Sequence, residues 1–371
     1  MATLAPLRAR GRPGHPGPLP VDGIDAALRA DIEAELRAAG WADPDAPGRA
    51  YERRLAADRG ARRAAGAYYT PPHLIDFAVD RALAELPRDA AILDPACGAG
   101  AFLLAAHRRG FTNLFGIDLD PTAIVVCRCA LALAGAQAHL QVGDGLAIDV
   151  RADAVIGNPP WGQKGLKYSR AQAAALRARF TTARGVLDPF KLFVERAHQL
   201  LAPGGRWALV LPDIILLKDQ QPVRDLILAG SAIDWIVHLE RPFPAVNLDA
   251  VIITGRRGPP PPGHRVSIWH SLPPGWRGEP PPTRSVAQAT FAELDEHRFN
   301  LYLDEPALAR LRHLSARPRL GDRFEVHEGV HSGNARARLF LPARRGHHCV
   351  PLIAAGDEVT PFRIDWGGTW L

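Results

Sequence analysis

The sequence predicts an α/β chain built on a doubly wound, largely parallel sheet, with a helical extension before it and a further region after it. Three observations predict this. Between Ala67 and Ile253, short apolar segments alternate with helix-period segments, the pattern of strands joined by crossover helices. Three successive strands end in an acid at a turn: Asp94, Asp118 and Asp144. The first of these leads into a Gly-x-Gly turn that opens directly into a helix, which suits ligand binding at the carboxyl edge of an open sheet.

With 371 residues and 47% hydrophobic content, the chain is long enough for a large core and two domains. No apolar run reaches bilayer-spanning length. The N-terminal "MATLAPLRARGRPGHPGPLP" is basic without an apolar stretch, so it is no secretory signal, and a cytoplasmic protein is expected. Net charge is +6 and the pI about 9.4. That suits a polyanionic partner, although an arginine-, alanine- and proline-rich composition is already explained by a GC-rich genome. Cys97, Cys127, Cys129 and Cys349 form no C-x-x-C pair and read as reduced thiols. His347, His348 and Cys349 are adjacent, and neighbours in a loop rarely converge on one ion, so no metal is expected.

The elements follow in order. Residues to about Pro20 are Pro/Gly/Arg-rich and expected to be disordered. "DGIDAALRADIEAELRAAG" reads as an amphipathic helix ending at Gly40, and "YERRLAADRGARRAAG" as a basic segment. "AAILDPA", "NLFGIDLD", "HLQVGDG", "DAVIGNPP", "RWALVLP" and "AIDWIVHLE" read as strands. "AFLLAAHRRG", "PTAIVVCRCALALAGA" and "DPFKLFVERAHQLLAPGG" read as helices. "DAVIITG" and "HRVSIWH" flank "RRGPPPPG" and suggest a hairpin with a proline-rich tip. From Ser271 the chain is loop-rich with one helix, "EPALARLRHL", and a fresh start comes near Leu320. The expected divisions are therefore 1–66, 67–270, 271–319 and 320–371.

Gly98 and Gly100 lack a Cβ, so a ligand can approach the backbone where the next helix offers unpaired N–H groups. A dinucleotide site is weakened by the missing third glycine of G-x-G-x-x-G. Asp118, at the next strand tip, suits a ribose diol. Asp120 before Pro121 reads as a helix N-cap. Asp144 is placed to accept from an adenine amino group. Each acid alone could equally be a cap or a loop residue. Thr70-Pro71-Pro72 reads as a helix start packing Leu74, Phe77 and Ala78. Alternatively it holds a carboxylate at that helix N-terminus, with Tyr68 and Tyr69 as walls.

"GAYYTPP", "LDPACGAGAF", "GIDLD", "GDG" and "NPPW" occur here in this order. The series resembles the gamma class of DNA adenine-N6 methyltransferases, including the methylase parts of type IIG and type I restriction–modification enzymes. The resemblance covers Ala67 to Trp269 and extends more weakly beyond. It implies a Rossmann-like methyltransferase sheet and S-adenosylmethionine held by Tyr68, Thr70, Asp94, Ala96, Gly98, Gly100, Asp118 and Asp144. It further implies duplex DNA as the partner and methyl transfer to N6 of an extruded adenine, within a restriction–modification or related defence system.

Asn158, Pro159, Pro160 and Trp161 then form a clamp. A purine amine is a poor nucleophile because its lone pair is delocalised into the ring. The Asn158 side-chain oxygen and the Pro159 carbonyl would accept its two hydrogens and favour a tetrahedral nitrogen as charge develops. Proline fixes the direction of that carbonyl. Trp161 would present an exposed face for base stacking, worth about 1–3 kcal/mol. Direct in-line transfer needs no covalent enzyme intermediate, so Cys97 and Cys127 are not nucleophile candidates.

"FPAVNLDAVIIT" is similar to the family's target-base region, which places Phe243 and Asn247 at the base, although Phe243 could equally be core. Lys164 and Lys167 either meet phosphates or sit in a solvated loop. Residues 320–371 resemble the start of an incomplete target-recognition domain: either the polypeptide is a fragment, or a second polypeptide supplies the rest. A nuclease in the same chain is not expected. Two alternatives stay open: methylation of a protein glutamine or another amine, as in release-factor modifying enzymes, and a truncated, non-catalytic DNA-binding remnant.

Overall fold

The computed structural model describes residues 22–40, 42–57, 70–162, 168–217, 219–243, 249–270, 284–325, 336–353, 359–360 and 363–371. Contacts divide the chain into two compact units, Met1–Leu303 and Asp304–Leu371. The first unit carries a nine-stranded sheet with order β3-β2-β1-β4-β5-β7-β6-β8-β9. Its strands are β1 (Ala91–Asp94), β2 (Asn113–Asp118), β3 (His139–Val142), β4 (Ala152–Gly157), β5 (Leu201–Pro212), β6 (Ser231–Leu239), β7 (Ala250–Arg257), β8 (Arg265–His270) and β9 (Arg284–Ala287). β1 to β5 pair with one another in parallel, as expected. β7 runs antiparallel between β5 and β6, and β9 antiparallel to β8, so the sheet is mixed.

The chain leaves β1 outward to β2 and β3, then returns to β4 on the other side of β1. That reversal is the switch point at which such sheets bind ligands. Helices α1 (Ala26–Ala39), α2 (Ala46–Ala57) and α3 (Pro72–Leu83) precede the first strand; α4 (Ala101–Arg108), α5 (Pro121–Leu133), α6 (Arg170–Arg179), α7 (Pro189–Leu200) and α8 (Gln221–Gly230) connect strands of the sheet. The central strands are sealed from solvent: Ile92, Leu93, Val155, Ile156, Ala208 and Ile252 are each fully buried, as expected where helices cover both faces. On α3, Leu74, Phe77, Ala78 and Ala82 form the buried stripe that the helical period requires. A second core joins Leu28, Ile32, Leu36 and Tyr51 of α1 and α2 to Ala123 and Val126 of α5.

Two expectations are corrected. The "DAVIITG" and "HRVSIWH" segments do not pair as a hairpin. β6 lies between β7 and β8, antiparallel to the first and parallel to the second. β6 has apolar residues to bury on both faces, with Ile233, Ile236 and Val237 fully buried, and the central position gives both its edges hydrogen-bond partners. The helix expected through "LLAPGG" ends at Leu200. Leu201 already pairs with Ala152 of β4, and the register shifts between Ala152 and Ala154.

The second unit contains α10 (Glu305–Ser315), which follows the short α9 (Gln288–Glu293) of the first unit. Asp304 caps α10 by accepting from the Ala307 N–H. Trp366 and Trp370 pack edge to face, and Leu341 and Pro351 each bridge to Trp370.

Candidate active site

The tips of β1, β2 and β4 meet at one edge. Asp94 ends β1 and is buried. Its Oδ1 accepts from the Ala96 N–H at 3.1 Å. Burial pushes its carboxyl up to about 8, against that amide and with the Asp118 charge adding to the rise, so Asp94 is largely protonated at neutral pH. Asp118 ends β2 half-buried; its two oxygens accept from the N–H groups of Gly98 at 2.8 Å and Asp120 at 2.9 Å. Burial raises its carboxyl too, opposed by those amides. One acid therefore ties the glycine turn to the neighbouring strand. Asp120 is the α5 N-cap, as the sequence predicts, accepting from Thr122 N at 2.8 Å. Its other oxygen accepts from the Tyr51 hydroxyl at 2.5 Å, a contact the sequence did not reveal. Asp144 is exposed, and its Oδ1 closes a local turn by accepting from Leu146 N at 2.9 Å.

The two glycines of the turn have different reasons to be glycine. Both have positive φ, +51° at Gly98 and +87° at Gly100. A Cβ on Gly98 would meet nothing within 4 Å, so its surface is open to a ligand. A Cβ on Gly100 would lie 2.4 Å from the Cys127 sulfur. The packing of the turn against α5 therefore requires glycine at position 100. The Cys97 thiol is buried and its pKa is raised, first by its hydrogen bond with Cys127 and then by burial. Neither thiol is poised as a nucleophile.

β4 delivers the clamp. Its last residue, Gly157, has φ +150°, and a Cβ there would lie 2.7 Å from Asp94 Oδ1. Only glycine lets β4 run this close to β1, and that approach places Asn158 beside the cofactor edge. Asn158 Nδ2 donates to Thr70 Oγ1 at 3.1 Å, and Asn158 Oδ1 accepts from Trp161 Nε1 at 2.7 Å. Thr70 does not cap α3: the cap position is Pro71, and no side-chain cap is made. The hydroxyl turns to Asn158 instead.

Trp161 also departs from expectation. It is 2% exposed, not an open platform. Its ring meets the buried Phe243 edge to face, with centroids 5.5 Å apart. Phe243 thus belongs to the core, against Trp161. Pro159 is buried and Pro160 half-buried. After the clamp, the Gly162 N–H donates to the buried Asp188 carboxylate at 3.2 Å. Asp188 stands before Pro189 as helix caps do, which hid this role in the sequence. Tyr68, Asn247, Lys164 and Lys167 lie outside the described residues.

Among the described residues, His347, His348 and Cys349 do not form a group able to hold one metal ion; the group that does is Asp213, His238 and Asp249, with ligand atoms within 4.8 Å of one another. Asp249 also accepts from the Arg241 N–H at 3.0 Å, anchoring the turn before Phe243. At the opposite, amino edge of the sheet is a cavity of about 700 Å³ lined by Arg88, Arg206 and Arg256, with Glu85 and Asp234 beside them. Arg206 bridges those two acids. This cavity is remote from Asn158.

A switch-point cradle with an open glycine turn, beside an Asn-Pro-Pro-Trp strand end, defines a Rossmann-like methyltransferase. The chain belongs to the N-6 DNA Methylase family, whose model matches residues 42–257. It is 28% identical over 322 residues to a type II methyltransferase of Thermus thermophilus, covering 83% of this chain and 70% of that one. It is 26% identical over 306 residues to the type II methyltransferase M.VspI of Vibrio sp. strain 343, covering 79% and 70%. The type I restriction–modification methyltransferase subunit of Streptococcus thermophilus superposes with a TM-score of 0.48 at 19% identity, covering 74% of this chain and 58% of that one. Among the described residues, no helix is long and apolar enough to cross a membrane.

Proposed function

We propose that this chain transfers a methyl group from S-adenosylmethionine to N6 of an adenine extruded from duplex DNA, with Asn158 and the Pro159 carbonyl as the acceptors for the amine hydrogens. The family supplies the reaction class. The observation that carries the site assignment is the convergence of Asn158, Thr70, Gly157 and the buried Asp94 at the sheet's switch point.

The residues fit the cofactor. The open surface over Gly98 and the half-buried Asp118 carboxylate form a cradle for a nucleoside with a ribose diol. Tyr68, Thr70, Asp94, Ala96, Gly98, Gly100, Asp118 and Asp144 are assigned to this half. Asp94 and Ala96 act there by shaping the turn, since the Ala96 N–H is already given to Asp94. The cofactor brings an electrophilic methyl on a sulfonium.

The chain's own residues do the rest. Asn158 Oδ1 and the Pro159 carbonyl hold the two amine hydrogens so that the nitrogen becomes tetrahedral and its lone pair withdraws from the ring π system, an interaction that strengthens as positive charge develops and lasts until one of those hydrogens leaves as a proton. Gly157 and Asp188 fix the two ends of the clamp. Phe243 and Asn247 line the base side. Trp161 stacks on the base only once Phe243 has moved from its ring. Extruding the base costs a few kcal/mol. Phosphate contacts from Lys164 and Lys167, and assembly with a partner subunit, belong to the same proposal.

The test is to incubate the full chain and labelled S-adenosylmethionine with unmethylated genomic duplex DNA, then separate the nucleosides. Label in N6-methyladenosine is expected. Label on protein glutamine and none on DNA would overturn the reading.

A further inference from the structure

We propose that Trp161 and Thr70 are positioning residues that fix which way the Asn158 amide faces. This rests on the methyl-transfer reading above and adds to it. An asparagine amide has two nearly isosteric ends, and only the oxygen can accept a hydrogen from the substrate amine. Turning the amide over would present an NH2 group to another NH2 group, and the clamp would repel its substrate.

The two neighbours of Asn158 exclude that orientation. An indole N–H can only donate. Trp161 Nε1 lies 2.7 Å from Asn158 Oδ1, so a flipped amide would set two donors against each other at that distance. On the other side, Thr70 Oγ1 is 3.1 Å from Asn158 Nδ2 and accepts from it. A hydroxyl alone would tolerate either orientation, because it can donate or accept. The indole therefore sets the direction and the threonine supports it. An sp² oxygen has two lone-pair directions, so the hydrogen bond from Trp161 does not by itself bar one from the amine.

Tryptophan at position 161 thus does what a tyrosine or phenylalanine there would not: neither carries a ring N–H. The burial of both anchors, Thr70 at 5% and Trp161 at 2% exposure, keeps water from competing for the amide. Thr70 lies two residues before the first residue of α3, and Trp161 lies three residues after Asn158. The lock therefore ties the helix beside the cofactor half to the clamp.

The experiment compares Trp161→Phe, Thr70→Val, Thr70→Ser and the Trp161→Phe/Thr70→Val pair in the full chain. Single-turnover transfer to duplex DNA, the S-adenosylmethionine Kd and thermal stability are measured for each. Trp161→Phe keeps the ring and removes the N–H. It should slow the chemical step by about 10- to 100-fold, the scale of a misplaced catalytic group, with cofactor Kd changed less than about twofold. Thr70→Val should slow the same step and Thr70→Ser should restore it. The pair should be no slower than the slower single variant, because both residues perform one task.

A second readout needs no activity. With 15N-labelled tryptophan, the indole N–H signal lost in Trp161→Phe should be slow to exchange, and Asn158→Ala should shift it upfield. Transfer by Trp161→Phe within about twofold of the parent, or an indole signal unmoved by Asn158→Ala, overturns the lock. Absence of adenine methylation by the parent chain overturns the proposed function instead, and the indole signal still decides the lock.

Discussion

A protonated carboxyl sealed beneath the glycine turn gives the site a pH signature. Asp94 is pushed up to about 8 by burial, whereas an unfolded aspartate ionises near 3.9. Below about pH 4 both states hold the proton and Asp94 brings no penalty. As pH rises, the unfolded chain releases that proton and the folded chain keeps it. Stability is therefore lost progressively and levels off above about pH 8. Asp94→Asn should flatten this slope, and thermal unfolding between pH 5 and pH 8 should show the parent losing more stability than the variant. An equal slope in both would contradict the assignment. The acids at the three strand tips were legible in the sequence because acid–turn pairs recur at each strand end. Their division of labour was not. Asp94 shapes the turn, Asp118 ties it to β2, and Asp144 closes its own loop. Which partner a carboxylate finds depends on backbone N–H groups that approach only after folding. Thr70 makes the same point: its sequence context is that of a helix cap, yet its hydroxyl serves a residue far along the chain.

Several helices that bury an apolar stripe were read from the sequence, but α2 and α8 were missed although they bury Ala50 and Tyr51, and Val223 and Ile227. α3, α5 and α7 carry such stripes. α6 buries no residue and is held by a capping box between Ser169 and Gln172, so hydrophobic periodicity gave no sign of it. The placement of β6 between β7 and β8 was hidden because strand order depends on long-range pairing, while a proline-rich tip between two strands mimics a hairpin. Gly157 shows how an element positions chemistry. Gly157→Ala forces a methyl against the Asp94 carboxyl and a non-glycine side chain into positive φ. It should cost about 1–3 kcal/mol of stability and slow transfer further by displacing Asn158. Unfolding midpoints and single-turnover rates measure the two effects separately. Gly100→Ala should cost a similar amount, with less effect on the clamp, since the clash is with Cys127.

Across the whole chain, the helices before the sheet are part of the cofactor-side structure. α1 and α2 share a core with α5, and the Tyr51 hydroxyl reaches Asp120 at the α5 cap. Tyr51→Phe should destabilise the protein by about 1.5–3 kcal/mol, the scale of a hydrogen bond to a charged group, read as a lower unfolding midpoint. S-adenosylmethionine at about 100 times its Kd should stabilise the parent by roughly 2.7 kcal/mol. The overall α/β plan and the carboxyl-edge site were legible because alternating periodicity and ordered motifs report them directly. The covered face of Trp161 was not, because an aromatic at a strand end looks the same in sequence whether it faces solvent or another ring. The most direct test of the account is single-turnover transfer of labelled methyl to duplex DNA by the parent and by Asn158→Ala, with cofactor binding followed by thermal shift. The account predicts label at adenine N6, a fall of about 10²–10³-fold in Asn158→Ala, and an unchanged cofactor-induced shift. Transfer by Asn158→Ala at the parent's rate would contradict it.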